Sequence, residues 1–209
     1  MRRLSMHATA VVCAGFVGLL MPACAESDDE TGSAVPVSES SQPSSAARPT
    51  LTDPALQPPP LENEYSTGER PQVVFDPCTW ISDQAVEAAG LDPSTRRRGD
   101  DLVAEYSFLT CDFDSAHWNL QINSGNVTWE EDFQKNGANS EPLTVNGREA
   151  MWVRDPQMRK TCSIHLRTKA GFVMMTTTRT FAASEAGLDR CDGVLGIAQA
   201  LEPEIGEGN

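Results

Sequence analysis

Few side chains in this chain are able to do chemistry, and they are scattered. His117 lies between Asp114 and Trp118, and His165 follows Ile164. A serine nucleophile would need one of these rings within hydrogen-bond reach and a carboxylate behind it. Ser163 or Ser107 with His165 and an aspartate is the combination on offer, yet no Gly-x-Ser-x-Gly elbow exposes either serine. Both histidines read as surface or rim residues. The carboxylate pairs Glu130-Glu131 and Asp100-Asp101 are neighbours in sequence, and neighbouring side chains do not converge on one substrate in a regular element, so they read as a solvated face. Cys78, Cys111, Cys162 and Cys191 contain no Cys-x-x-Cys, which argues against a redox centre or zinc knuckle. No metal and no cofactor are expected.

The elements that must hold these residues begin near Pro71, beyond which lie all four tryptophans and six of the seven phenylalanines. Ser82 followed by Ala85, Val86, Ala89 and Gly90 reads as a capped helix over about 80–90. Val103 to Phe113 is rich in strand formers, and Trp118, Leu120 and Ile122 alternate with polar residues, giving two strands. Thr128 to Lys135 reads as a short helix, and Leu143 to Arg154 as strand broken at Asn146-Gly147. Cys162 to Thr180 is the clearest hairpin, with its turn at Lys169-Ala170-Gly171. Cys191, Val194, Leu195, Ala198 and Leu201 share one face of a closing helix that Pro203 helps to end. This order predicts an α+β two-layer sandwich, an antiparallel sheet with the N- and C-terminal helices on one face. Trp80 and Trp152 read as core, and Met174-Met175 beside Phe172 as filling of the sheet. Asp76-Pro77 reads as a helix start, its carboxylate accepting backbone N–H bonds.

The N-terminus supplies an address. Arg2-Arg3, an uncharged stretch from Ala8 to Met21 and the small exit at Pro22-Ala23 make residues 1–23 an export signal, too short to span a bilayer. Leu20-Met21-Pro22-Ala23-Cys24 resembles a bacterial lipobox, which makes Cys24 the expected lipidation site and the membrane the expected anchor. Ala23-Cys24-Ala25 also reads as an ordinary cleavage site, so plain secretion stays open, as does an uncleaved anchor. Residues 24–70, rich in serine, proline and acid, read as a disordered tether, and 71–209 as the globular domain. The net charge is −14, of which 71–209 contributes −9, and the basic run Arg96-Arg97-Arg98 meets Asp100 and Asp101 at once. Such a balance argues against nucleic acid, which needs a basic face.

Export puts the four cysteines of the domain where disulfides persist. Of three connectivities the nested one is expected, Cys78–Cys191 with Cys111–Cys162, because Cys111 and Cys162 each face inward from a strand and the other two sit near helix starts.

Several of these features occur together. Phe75-Asp76-Pro77-Cys78, Ile81-Ser82 and an Ala-rich helix to Gly90-Leu91, then Cys111, Gly147, Cys162 and Arg190-Cys191-Asp192, resemble the actinobacterial lipoproteins grouped as domain of unknown function 3558. The resemblance covers about residues 74–203 together with the lipobox and tether. That family's second Asp-Pro-Cys is here Asp189-Arg190-Cys191. The resemblance implies an exported, membrane-anchored α/β domain and brings no catalytic residues. A non-catalytic module binding an envelope protein, a lipid or a cell-wall ligand is therefore the expectation. Contacts are expected in the loops from Asp114 to Trp118 and from Asp155 to Cys162. A hydrolase with an unrecognised site is the alternative.

Overall fold

A computed structural model describes residues 50–62, 64, 65 and 68–209. The chain folds as helices α1 (Pro77–Trp80) and α2 (Asp83–Ala88), strands β1 (Asp92–Arg98), β2 (Leu102–Val103), β3 (Ser107–Asp114) and β4 (Trp118–Gly125), then helix α3 (Trp129–Asn136). Strands β5 (Ser140–Val145), β6 (Arg148–Val153), β7 (Thr161–Arg167) and β8 (Phe172–Arg179) and helices α4 (Phe181–Glu185) and α5 (Val194–Ile205) complete it. The eight strands form one antiparallel sheet in the order β1-β3-β4-β8-β7-β6-β5, with β2 beside β3. This is the expected α+β arrangement.

Local chemistry starts and stops these elements. Ser82, Thr128 and Thr180 each accept a backbone N–H at the head of a helix, and Thr128 completes a capping box with Glu131. Asp76 does the same for Cys78 and also accepts from Thr79 Oγ1, as the Asp-Pro start predicts. Asn146 (φ 50°) and Gly147 (φ 94°) turn the β5–β6 hairpin through left-handed backbone, which those two residue types tolerate.

Alternation along the strands gives the sheet two faces. One carries Cys111, Phe113, Leu120, Ile122, Cys162, Ile164, Leu166, Val173 and Met175, packed against α1, α2 and Ile197, Ala198, Leu201 and Ile205 of α5. Trp80 and Trp152 flank this core. The other face is half covered. Trp129 of α3 meets Met151, Val153 and Phe172 there, with Phe108, Val127 and Met174 at the margin. The rest of that face is polar, a hydrogen-bonded row running from Thr110 through Asn123 and Gln121 to Asp112.

The disulfides correct the nested expectation. The bonds are Cys78–Cys111 and Cys162–Cys191, each with Cα atoms 5.1 Å apart. Cys111 on β3 and Cys162 on β7 do face the same way, but β4 and β8 lie between their strands. Three strand spacings amount to about 14 Å, twice the roughly 7 Å that a disulfide tolerates. The layer above bridges instead: α1 sets Cys78 over β3, and the turn before α5 sets Cys191 over β7.

Three boundaries also differ. The helix expected over 80–90 is two helices parted at Ile81-Ser82. The closing helix starts at Val194, beyond Cys191, and runs through Pro203 to Ile205. Proline lacks the N–H that would bond to Gln199 O four residues back, and Asn146 Nδ2 donates to that carbonyl instead at 2.8 Å. Of the segment expected as tether, finally, residues 51–56 are folded chain. Leu51 N donates to Thr79 O at 2.8 Å, Leu56 packs on the main core, and Arg98 donates to Leu56 O. The expected export signal, the expected lipidation site Cys24 and the expected tether as far as residue 49 lie outside the described residues.

Candidate functional site

The Arg96–Arg98 run is the first candidate to test, since three successive arginines could hold an anion. Each is already engaged. Arg96 pairs with Asp83 at 2.7 Å and lies over the Phe113 ring, and Arg97 pairs with Asp114 at 2.7 Å. Arg98 pairs with Asp76 at 2.6 Å and Asp101 at 3.3 Å, both little exposed. The run therefore pins β1 and the 51–56 strap to the helices.

His165 is the second candidate, and the structure corrects its placement. It faces away from Ile164 as expected, but its residual exposure is 3% because α3 covers that half of the sheet. Nδ1 lies 2.6 Å from Asp132 Oδ2, and the ring stacks on Phe172 with centroids 5.2 Å apart. Asn136 Nδ2 donates to the other carboxylate oxygen at 2.7 Å. A histidine–carboxylate pair thus exists, yet no serine completes it. Ser163 Oγ bonds Thr176 Oγ1 at 2.8 Å, and Ser107 is buried beside Asn126. The pair fastens α3 to the sheet. Among the described residues no group of three His, Cys, Asp or Glu side chains is arranged to hold a metal ion.

Two further ties hold the same helix. Arg167 on β7 reaches both Glu130 of α3 (3.2 Å) and Glu149 of β6 (2.9 Å). Arg70 makes a two-pronged contact with Glu131, both distances 2.8 Å. That guanidinium, together with the N–H and hydroxyl of Thr128, pulls the Glu131 carboxyl down from 4.5 to about 2. Between the helix so fixed and the β5–β6 hairpin lies an open groove of 540 Å³, lined by Trp129, Phe133, Pro142, Thr144, Glu149 and Met151, and by Leu143 and Ala150, which alternate onto the main core. Phe133 is 56% exposed there. No periodicity in the sequence marks this groove, because it lies between two consecutive elements, α3 and the β5–β6 hairpin, whose relative placement neither element's own alternation records.

The loops expected to make contacts come together at one end of the sheet. Thr180 links them: its N–H donates to His117 O (3.0 Å) and its hydroxyl to Ala116 O (2.8 Å), while Arg179 N donates to Lys160 O (2.9 Å). Arg190 Nη1 donates to Asp155 O at 2.7 Å and to Met158 O, and Cys162–Cys191 closes the cluster covalently. His117 is exposed beside a 380 Å³ cleft floored by Ala88, Ala89, Gly193 and Gly196, with no carboxylate lining it. Gly193 is required there, since a Cβ would sit 2.5 Å from the Trp118 indole nitrogen.

The profile of a family described as "Protein of unknown function (DUF3558)" matches residues 19–204. The chain belongs to that family. The match to DUF3558 takes in Cys24, all four bridging cysteines, Asp76 and Arg98, and both halves of the groove. Comparison with curated proteins and with solved structures gave no match. No described helix is long and apolar enough to cross a membrane.

Proposed function

We propose that this DUF3558 protein is an exported lipoprotein, held to the membrane through Cys24, whose domain is a non-catalytic binding module. The lipobox-like Leu20–Cys24 run and the Ser/Pro-rich segment after it support the anchor. The observation that carries the binding reading is the groove beside α3. Aromatic and aliphatic side chains line it, Phe133 stands open to water in it, and three side-chain ties make its wall rigid. A preformed groove that sets a few polar groups among apolar side chains binds at low ordering cost. The acids beside it are engaged, Glu130 and Glu149 by Arg167, Glu131 by Arg70 and Asp132 by His165, which supports a binding reading over a catalytic one.

Methyl spectra test this reading, because the chain beyond Cys24 has only four methionines, at 151, 158, 174 and 175. Titration with lipid extract, cell-wall fragments and solubilised envelope protein should shift the Met151 methyl saturably with one fraction and leave Met175 still. Turnover of an ester, glycoside or peptide by the protein, lost on His165→Ala or His117→Ala with the fold intact, would replace this reading with the hydrolase.

A further inference from the structure

The loop end of the sheet combines exposed apolar side chains with cations. Phe181 opens α4 with 78% of its surface in water, and Met158 in the β6–β7 loop is 52% exposed. Residues 154–160 hold three bases and one acid, in a domain where acids outnumber bases by 21 to 12. Arg154 stacks on Trp152 and pairs with Glu141, and Asp155 caps Gln157 N. Arg159 and Lys160 make no ion pair among the described residues. Of the nearby acids, Asp189 and Asp192 accept backbone N–H bonds within their own turn, and Glu185 stands on α4. The loop does not hang free, because Arg190 and the Cys162–Cys191 bridge hold its backbone in place.

We propose that this end of the domain rests on the anionic headgroups of the bilayer, with Phe181 and Met158 entering the interface and Arg159 and Lys160 against lipid phosphates. The inference rests on the anchored reading. Two apolar side chains and two cations make a patch far smaller than the roughly 800 Å² per partner of a stable protein interface. For a tethered domain a weak surface is enough. Residues 25–49 reach at most about 85 Å when fully extended, which keeps the patch at high effective concentration near the headgroups. Apolar insertion flanked by Lys and Arg is the usual chemistry of peripheral contact with anionic lipid. In this orientation the groove beside α3, on a face of the sheet rather than at its end, stays open to the envelope.

Amine footprinting reads the orientation directly, since the three lysines report three places: Lys135 on α3, Lys160 at the loop end and Lys169 at the β7–β8 turn on the opposite end. The full chain would be made in a host that processes exported lipoproteins, extracted in detergent and reconstituted into vesicles of phosphatidylglycerol or of phosphatidylcholine. On phosphatidylglycerol, labelling of Lys160 relative to Lys169 should fall by a factor of about five compared with detergent. It should recover in 0.5 M salt, on phosphatidylcholine, and in Met158→Asp/Phe181→Asp, two exposed changes that leave the core untouched. Pelleted protein with Lys160 fully labelled, or with Lys169 protected instead, overturns this inference alone. Protection seen in native membranes but not on pure lipid overturns it in favour of a protein partner. Protein left in the supernatant overturns the anchored reading along with it.

Discussion

His165 Nδ1 and Asp132 Oδ2 stand 2.6 Å apart in a site closed to solvent, joining β7 to a helix 33 residues earlier in the chain. The contact sits under α3, so it governs whether the groove wall stays in place. Removing one member of a buried pair strands the other without its partner. Asp132→Ala should lower the unfolding free energy by about 2–4 kcal/mol, read from urea titrations followed by tryptophan fluorescence. Asp132→Asn, which keeps an acceptor, should lose less. A change below about 0.5 kcal/mol in the alanine variant, the size of an ordinary surface substitution, would show that the pair does not hold the helix.

Arg98 is the corresponding tie on the other face. It joins Asp76 to Asp101 and donates to Leu56 O, so one side chain links α1, β1 and the strap. Arg98→Ala leaves Asp76 buried and unpaired and should cost about 3–5 kcal/mol. Hydrogen exchange at the Leu51 amide, which bonds Thr79 O, should become at least tenfold faster. A Leu51 amide as protected as in the parent protein would mean the strap docks without Arg98.

Acid should loosen α3 before the rest of the domain. The Glu131 carboxyl lies at about 2 in the fold against an ordinary 4.5, mainly through the Arg70 hydrogen bonds. A depressed carboxyl contributes stability that is complete above the unfolded value and lost as pH falls through the folded one. The window is therefore about pH 5 down to pH 2, and the effect is small because Glu131 is half exposed. Urea midpoints for the parent protein should fall more steeply across that window than for Glu131→Gln. Parallel curves would remove Glu131 as a source of acid sensitivity.

The disulfides join cysteines that are neighbours in sequence, across separations of 33 and 29 residues. In the chain-entropy model each loop of that size contributes roughly 3–4 kcal/mol. Non-reducing peptide mapping should recover Cys78 with Cys111 and Cys162 with Cys191. Paired serine substitution of either bridge should lower Tm by about 6–16 °C, at the roughly 2–4 °C per kcal/mol expected for a domain of this size. Recovery of Cys111 with Cys162 would contradict the strand order itself.

What the sequence made legible was local. The alternation at Trp118, Leu120 and Ile122, the Asn146-Gly147 turn, the cap at Ser82 and the short helix after Thr128 each rest on residues within one element, and each lies where expected. Strand β1 escaped notice because Asp92–Arg98 has no apolar alternation. Its arginines are answered by Asp83, Asp114 and Asp76, distant in sequence. The bridge pattern depended on strand order, which places two intervening strands between Cys111 and Cys162. His165 read as a rim residue because nothing in its own strand shows that α3 lies above it. The groove was hidden for the same reason, while the loops at 114–118 and 155–162 were visible as loops because a loop is marked by its own residues.

The most direct test of the account is photocrosslinking in living cells, with a benzophenone side chain placed at Phe133 in the groove and, separately, at Gln84 on exposed α2. Position 133 should give one dominant adduct, lost in Thr144→Arg at the exposed groove surface, and position 84 none. Equal scattered labelling from both positions, or no adduct from position 133 while the protein is present and folded, would contradict a binding groove beside α3.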